Sequence, residues 1–375
     1  MPVFSVPAAD VRDADDWELL LVKSKAMLNN LTGLRFYTAI WVFLYHFCVY
    51  TGGLDNFFVR KGYLGVDIFF VLSGFILTYA YYKSFFVEKV SWKKYHNFIL
   101  KRFAKIYPLQ ILTFFIVGIL LLTGKYIFHQ KDLIIRPDHI ISNLLMIHAW
   151  NINDALSWNT HSWSLSDEWF AYLFLFITAV FVIKVTKLWG RIALGAVVLF
   201  FIVKWFRIEN FDLNEYTYNG LERIVPEFFL GISVGLLRYD FQLSKRAASS
   251  VFVVGCLMFL ILAFLDYKVD AFCMIAFATI IYALSFKTYF DSMFDTKTMV
   301  YLGNISFAFY MFQLTAFYLF KPFQAYIAGQ NLSGYIVVPL ELLLLVMINL
   351  ALASLSFRYF EEPARIYLVE RFKKE

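Results

Sequence analysis

Apolar residues run in blocks of helix-spanning length along most of this chain, separated by short polar or charged stretches. The blocks fall at about 34–52, 63–82, 106–123, 167–185, 190–206, 223–239, 249–266, 269–286, 300–320 and 335–357. Most are near the 20 residues that an α-helix needs to cross a bilayer. Alternation with period two, the mark of half-buried strands, is absent. The pattern predicts an all-α integral membrane protein with about ten transmembrane helices. The segment 138–150, DHIISNLLMIHAW, is too short to span and reads as interfacial or re-entrant.

Composition agrees. Of 375 residues, 61% are hydrophobic, 17% are charged and 21% are aromatic. Soluble domains hold about 45–50% apolar and about 25% charged residues. Too little polar surface is left to coat a soluble body. One domain, residues 31–375, is the simplest account, preceded by a short N-terminal cytoplasmic extension, residues 1–30. That extension is acidic and lacks the basic start and apolar stretch of a signal peptide. It is expected to be a disordered or interfacial tail.

Charge orients the spans. With ten spans and an inside N-terminus, 23 of the 34 Lys and Arg residues fall on the cytoplasmic side and 10 outside. Positive loops favour the cytoplasm, so both termini are expected there. The net charge of +6 is spread over loops and forms no nucleic-acid patch. Cys48, Cys256 and Cys273 sit in apolar runs with no ligand spacing, so no metal site and no disulfide framework is expected.

Ionisable residues inside apolar spans are costly and mark function more often than not. The first span holds Arg35 and, eleven residues on, His46. Their separation along a helix axis is about 16 Å. Arg35 then lies near the cytoplasmic surface and His46 toward the outer half. The bland reading makes Arg35 a snorkelling anchor and His46 a packed polar residue. Asp67 opens the second span at a depth similar to His46. A carboxylate beside an imidazole fixes its tautomer and raises its basicity; the alternative is a helix-start cap. Gly62, Gly65 and Gly74 with Ser73 suit close helix packing.

After the second span comes a strongly basic loop, ending FILKRFAKIYPLQ. Arg102 and Lys105 lie one turn apart there. They are either a positive-inside anchor or a phosphate clamp. The fourth span is preceded by NTHSWSLSDEWF, which gathers His161, Trp163, Ser166 and Glu168 at the outer interface. Tryptophans with carboxylates resemble a sugar-binding edge, and the same residues equally suit an aromatic belt and a helix cap. Glu227 sits in an otherwise apolar span near its outer end. Glu361, Glu362 and Arg365 read as a cytoplasmic cluster.

Several stretches together resemble the family-three membrane acyltransferases (the acyltransferase 3 family). They are Arg35 with His46 ten intervening residues later, GVDIFFVLSGF (65–75), the basic stretch 102–108, WSLSDEWF (163–170), FFLGISVG (228–235), LGNISFAFYMFQ (302–313) and FEEPAR (360–365). They run in family order over nearly the whole chain. Two positions depart from the pattern. Lys105 stands where the family has a second arginine, and Gln313 stands where it has histidine. No hydrolase-like domain follows the last span in this sequence, so a single-module version is expected.

The resemblance implies O-acylation of a cell-surface glycan or lipid-linked sugar in a bacterial inner (plasma) membrane. It implies acyl-CoA, acetyl-CoA first, as donor substrate, with no bound cofactor. Arg35, Arg102 and Lys105 would bind the donor. His46 would be the general base, oriented by Asp67, with Glu168 binding the acceptor or assisting proton transfer. Trp163, Ser166 and His161 would contact the acceptor. The rival class is a transporter or flippase for a glycan or lipid-linked intermediate. It would need paired, broken helices in an inverted repeat, and no such symmetry is seen.

Overall fold

Polar caps divide the apolar runs into helices. Ser91 accepts from the Lys94 N–H, Ser244 from Ala247, Thr296 from Met299 and Ser333 from Tyr335. Each satisfies an amide that the first helical turn leaves unpaired. The computed structural model describes residues 14–130, 133, 135–207, 220–265, 269–330 and 333–374, and among these no strand is present. The first thirteen residues of the N-terminal extension lie outside the described residues.

The principal helices are α1 (Ala14–Thr51), α2 (Gly65–Tyr81), α3 (Trp92–Tyr126), α4 (Trp163–Phe170), α5 (Phe176–Thr186) and α6 (Leu188–Arg207), followed by α7 (Gly220–Asp240), α8 (Lys245–Ala263), α9 (Asp270–Leu284), α10 (Lys297–Met311), α11 (Gln313–Ala328), α12 (Gly334–Ser356) and α13 (Glu362–Lys374). Three wider π turns, Tyr82–Val87, Ala171–Leu175 and Phe357–Glu361, interrupt the regular geometry.

Among the described residues, six helical runs are long and apolar enough to cross a membrane: Phe57–Val87, Trp92–Tyr126, Thr160–Thr186, Leu188–Trp205, Lys245–Ala263 and Gly334–Phe372. Helix α9 is apolar but shorter. All ten apolar blocks of the sequence fall on helices, yet six, not ten, meet that measure. Helix α7 carries Glu222, Arg223, Glu227 and Arg238, and the block at 300–320 breaks between α10 and α11 at Phe312. Large apolar side chains such as Phe181, Phe200 and Leu343 remain exposed, as lipid-facing positions do.

One expectation of local structure changes. The basic stretch before residue 106 is not a loop: α3 starts at Trp92, so Arg102 and Lys105 ride on a rigid 35-residue helix. The segment 138–150 forms only the short turns Pro137–His139 and Ile140–Leu144, then irregular chain. It packs inward, with Ser142, Asn143, Met146 and Ala149 buried.

Helices α2 and α7 touch backbone to backbone. A Cβ on Gly74 would lie 2.2 Å from the Phe228 carbonyl oxygen, and one on Gly231 would lie 2.0 Å from that of Val71. Only glycine fits at such an approach. This contact joins the GVDIFFVLSGF and FFLGISVG stretches and sets α7 across the face of α2. A second brace ties α1 to α10 and α11. The Phe43 ring lies 5.5 Å from Phe309 and 5.6 Å from Phe317, all three buried in the core.

Candidate active site

One face of α2 presents Val66, Phe69, Phe70, Ser73, Ile76 and Leu77 to a partly open cavity. The spacing follows the 3.6-residue period, and eleven steps cover about 16 Å. The Leu77 end is basic. Arg35 from α1 and Arg102 and Lys105 from α3 line it. The three residues expected to hold the donor therefore share one cavity. The Arg102 guanidinium stands 5.8 Å from the Tyr81 ring and 6.0 Å from the Tyr172 ring, and its buried Nε has no hydrogen-bond partner. Lys105 Nζ meets the buried Glu361 carboxylate at 2.5 Å. The π turn Phe357–Glu361 thus brings a counter-charge from the C-terminal segment to the cavity.

Glu168 lines the middle of the path. Ser73 Oγ donates to its Oε1 at 2.9 Å, and the Tyr172 hydroxyl donates to the same oxygen. Tyr172 reaches it because it lies one turn on, at the start of the π turn. Glu168 is on the cavity wall and is not bonded to His46.

The far end carries Ser164 and Tyr310. The Tyr310 hydroxyl donates to the His161 carbonyl at 2.7 Å and stands 3.0 Å from Ser164 Oγ. Behind them two imidazoles stack. The His46 and His161 ring centroids are 4.0 Å apart at 15°. Tyr50, at the exposed end of α1, places its hydroxyl 3.4 Å from His161 Nε2. His161 thus sits with His46 rather than on an open outer surface.

The expected pairing of Asp67 with His46 is absent. Asp67 is gripped by Arg223 of α7, Nε to Oδ1 at 2.9 Å and Nη2 to Oδ2 at 2.7 Å. His46 Nδ1 instead meets Gln313 Oε1 at 2.6 Å. The reason is the close α2–α7 contact, which places Arg223 over the start of α2. Trp163 and Ser166 also differ from expectation. Trp163 packs its ring 5.3 Å from the Arg223 guanidinium. Ser166 is wholly buried, accepts from Ala149 N–H and donates to the Met146 carbonyl. Both are committed to the interior, and Ser166 pins the 146–149 segment to α4.

Arg223 and Tyr310 escaped the sequence reading as site residues, and Gln313 entered it only as a departure from the family pattern. Arg223 counted there as an outer-loop charge. Its signal was Glu227 four residues on, which puts both on one helix face. Among the described residues, no three His, Cys, Asp or Glu side chains form a group that could hold a metal ion.

A family model described as an acyltransferase domain, acyltransferase 3, matches residues 28–358. A Staphylococcus aureus (strain COL) protein provisionally named an O-acetyltransferase is 24% identical over 373 residues, covering 92% of this chain and 58% of that protein. The acyltransferase MdmB of Streptomyces mycarofaciens is 29% identical over 238 residues, covering 56% and 57% of the two chains. The O-acetyltransferase OatA of S. aureus (strain NCTC 8325 / PS 47) is 23% identical over 381 residues, covering 91% and 58%. The chain therefore spans a little under three fifths of the length of these relatives. No solved structure matches. With six membrane-length apolar helices and a family match over most of its length, this multi-pass membrane protein belongs to the acyltransferase 3 family.

Proposed function

We propose that this chain moves a short acyl group, acetyl first, from acyl-CoA to a hydroxyl of a cell-surface glycan or lipid-linked sugar in a bacterial inner membrane. The observation that carries the reading is the cavity itself. It runs from a cationic end to a tyrosine that donates to the His161 backbone carbonyl, with the stacked His46 and His161 imidazoles behind it. Both termini are cytoplasmic in this reading, which puts the Arg35, Arg102 and Lys105 end where acyl-CoA is found. The nucleotide phosphates dock on those cations by charge-assisted hydrogen bonds. The pantetheine arm lies along the α2 face past Ser73, Glu168 and Tyr172. The thioester reaches Ser164 and Tyr310.

The acceptor hydroxyl enters from the Tyr50 side. His46 takes its proton as the oxygen attacks the thioester carbonyl. The carbon–sulfur bond breaks, and the proton passes from His46 to the departing sulfur. The products are the O-acyl ester and the free CoA thiol. A base in this role contributes about 10²–10⁴-fold. The names of the relatives, one an O-acetyltransferase and another provisionally named as one, support acetyl as the group moved.

The test is acetyl-CoA binding and turnover by detergent-purified protein, comparing wild type, His46→Ala and Arg35→Ala. The reading expects binding by wild type and His46→Ala, weaker binding by Arg35→Ala, and turnover only by wild type. A wild-type protein that neither binds nor consumes any short acyl-CoA overturns it.

A further inference from the structure

We propose that Gln313 is the positioning residue that sets which nitrogen of His46 is free to take a proton. Gln313 is the first residue of α11, just past the break at Phe312. Phe309 and Phe317 lie four residues on either side of it and pack against Phe43, three residues before His46. This aromatic brace holds Gln313 opposite His46 although 267 positions separate them. Gln313 is fully buried, and among the described residues its Nε2 has no partner and its one side-chain hydrogen bond is the 2.6 Å contact to His46 Nδ1.

An amide oxygen and a bare imidazole nitrogen are both acceptors. The contact requires a hydrogen on Nδ1, donated to Oε1, and the lone pair then belongs to Nε2. The choice matters beyond the resting state. A general base passes through the imidazolium form, in which Nδ1–H persists. An amide oxygen stabilises that form; an amide N–H turned toward Nδ1 would oppose it. His161, stacked on the ring face, fixes the plane, while Tyr45 and Tyr50 flank it at 5.4 Å and 6.4 Å. The Tyr50 hydroxyl turns to His161 instead, and Gln313 is the group that meets Nδ1 of His46.

The consequence for catalysis rests on the acyltransferase reading; the tautomer does not. Two measurements separate them. The first is the ¹⁵N ring spectrum of the wild-type protein, with His46→Ala used to assign the signal. It is expected to show the proton on Nδ1, and a proton on Nε2 overturns the inference. The second compares acetyl-CoA turnover by Gln313→Met and Gln313→Glu. The Met variant, which removes the acceptor, should lose kcat by on the order of 10²-fold with KM for acetyl-CoA nearly unchanged. The Glu variant keeps an acceptor and should hold kcat within about tenfold of wild type. Wild-type kcat in Gln313→Met, or a Glu variant as impaired as the Met variant, overturns the inference. Should wild type move no acyl group, the acyltransferase reading falls and the ¹⁵N spectrum still decides the tautomer.

Discussion

Arg223 holds the Asp67 carboxylate through two parallel hydrogen bonds, and both side chains are almost completely buried. A third bond, from Arg223 Nη2 to the Tyr63 carbonyl at 3.0 Å, anchors the guanidinium to the turn before α2. Removing one member of a buried pair leaves the other charge without compensation, at about 3–5 kcal/mol. Asp67→Asn and Arg223→Gln should therefore lower thermal stability sharply in detergent, along with activity. Loss of turnover in a variant that melts like wild type would give Asp67 a direct chemical role instead.

Lys105 is the cavity's one cation with a close carboxylate partner among the described residues, Glu361. Replacing Glu361 by Gln frees its charge for a bound anion. Acyl-CoA should bind on the order of threefold to tenfold tighter, with a steeper dependence on salt. Lys105→Met should weaken binding by a similar factor. Calorimetric titration at two salt concentrations reads both. Unchanged affinity in Glu361→Gln would mean that Lys105 does not face the phosphates.

The α2–α7 contact is expected to be intolerant of a single methyl group. Gly231→Ala drives a Cβ into the Val71 carbonyl, which cannot yield without moving a helix. A cost of about 3 kcal/mol or more follows from overpacking. Gly195→Ala, in open space on α6, serves as the control and should melt near wild type. Equal melting of the two variants would show that the helices can separate freely.

Ser166 should matter to stability and not to acceptor affinity. It carries two hydrogen bonds to the 146–149 backbone, each worth about 1 kcal/mol. Ser166→Ala should lower the melting point while leaving KM for a glycan acceptor within about twofold of wild type. A selective rise in that KM would return Ser166 to the acceptor site.

Outside the spans, Arg136 bridges Asp138 and Asp154 and holds both carboxyls below the usual range, chiefly by hydrogen bonding. A depressed carboxylate contributes its stability above its ordinary value of 3.8 and loses it as the pH falls through the lower folded value. The 136–159 loop should resist proteolysis at pH 5 and become accessible only once the pH has fallen below the ordinary carboxyl value of 3.8. Arg136→Gln should weaken that transition, because it removes the largest cause of the depression and leaves only His139 and the backbone to favour the charged aspartates. These groups are exposed, so high salt should weaken the same protection.

Helices were legible because their cause is local. Each apolar block is long enough to seek lipid or core, and each one lies on a helix. The basic trio was also legible, since Arg35, Arg102 and Lys105 stand out as charges at the ends of apolar runs. Break points were harder. The stretch 300–320 reads as one span, yet it divides at Phe312, and that division is what turns Gln313 toward α1.

What the sequence by itself determined is the helical membrane architecture and the residue types that carry the chemistry. Burial of apolar length and the cost of a charge among apolar neighbours are written into adjacent residues. Only the tertiary structure decided which polar groups meet. Asp67 and Arg223 are 156 positions apart, and His46 and Gln313 are 267 apart. Their meeting depends on how closely α2 and α7 approach, where two glycines let the backbones touch, and on the register that Phe43 imposes between α1 and α11. An imidazole in a span takes whichever partner the packing delivers, and here the packing delivered an amide oxygen instead of a carboxylate.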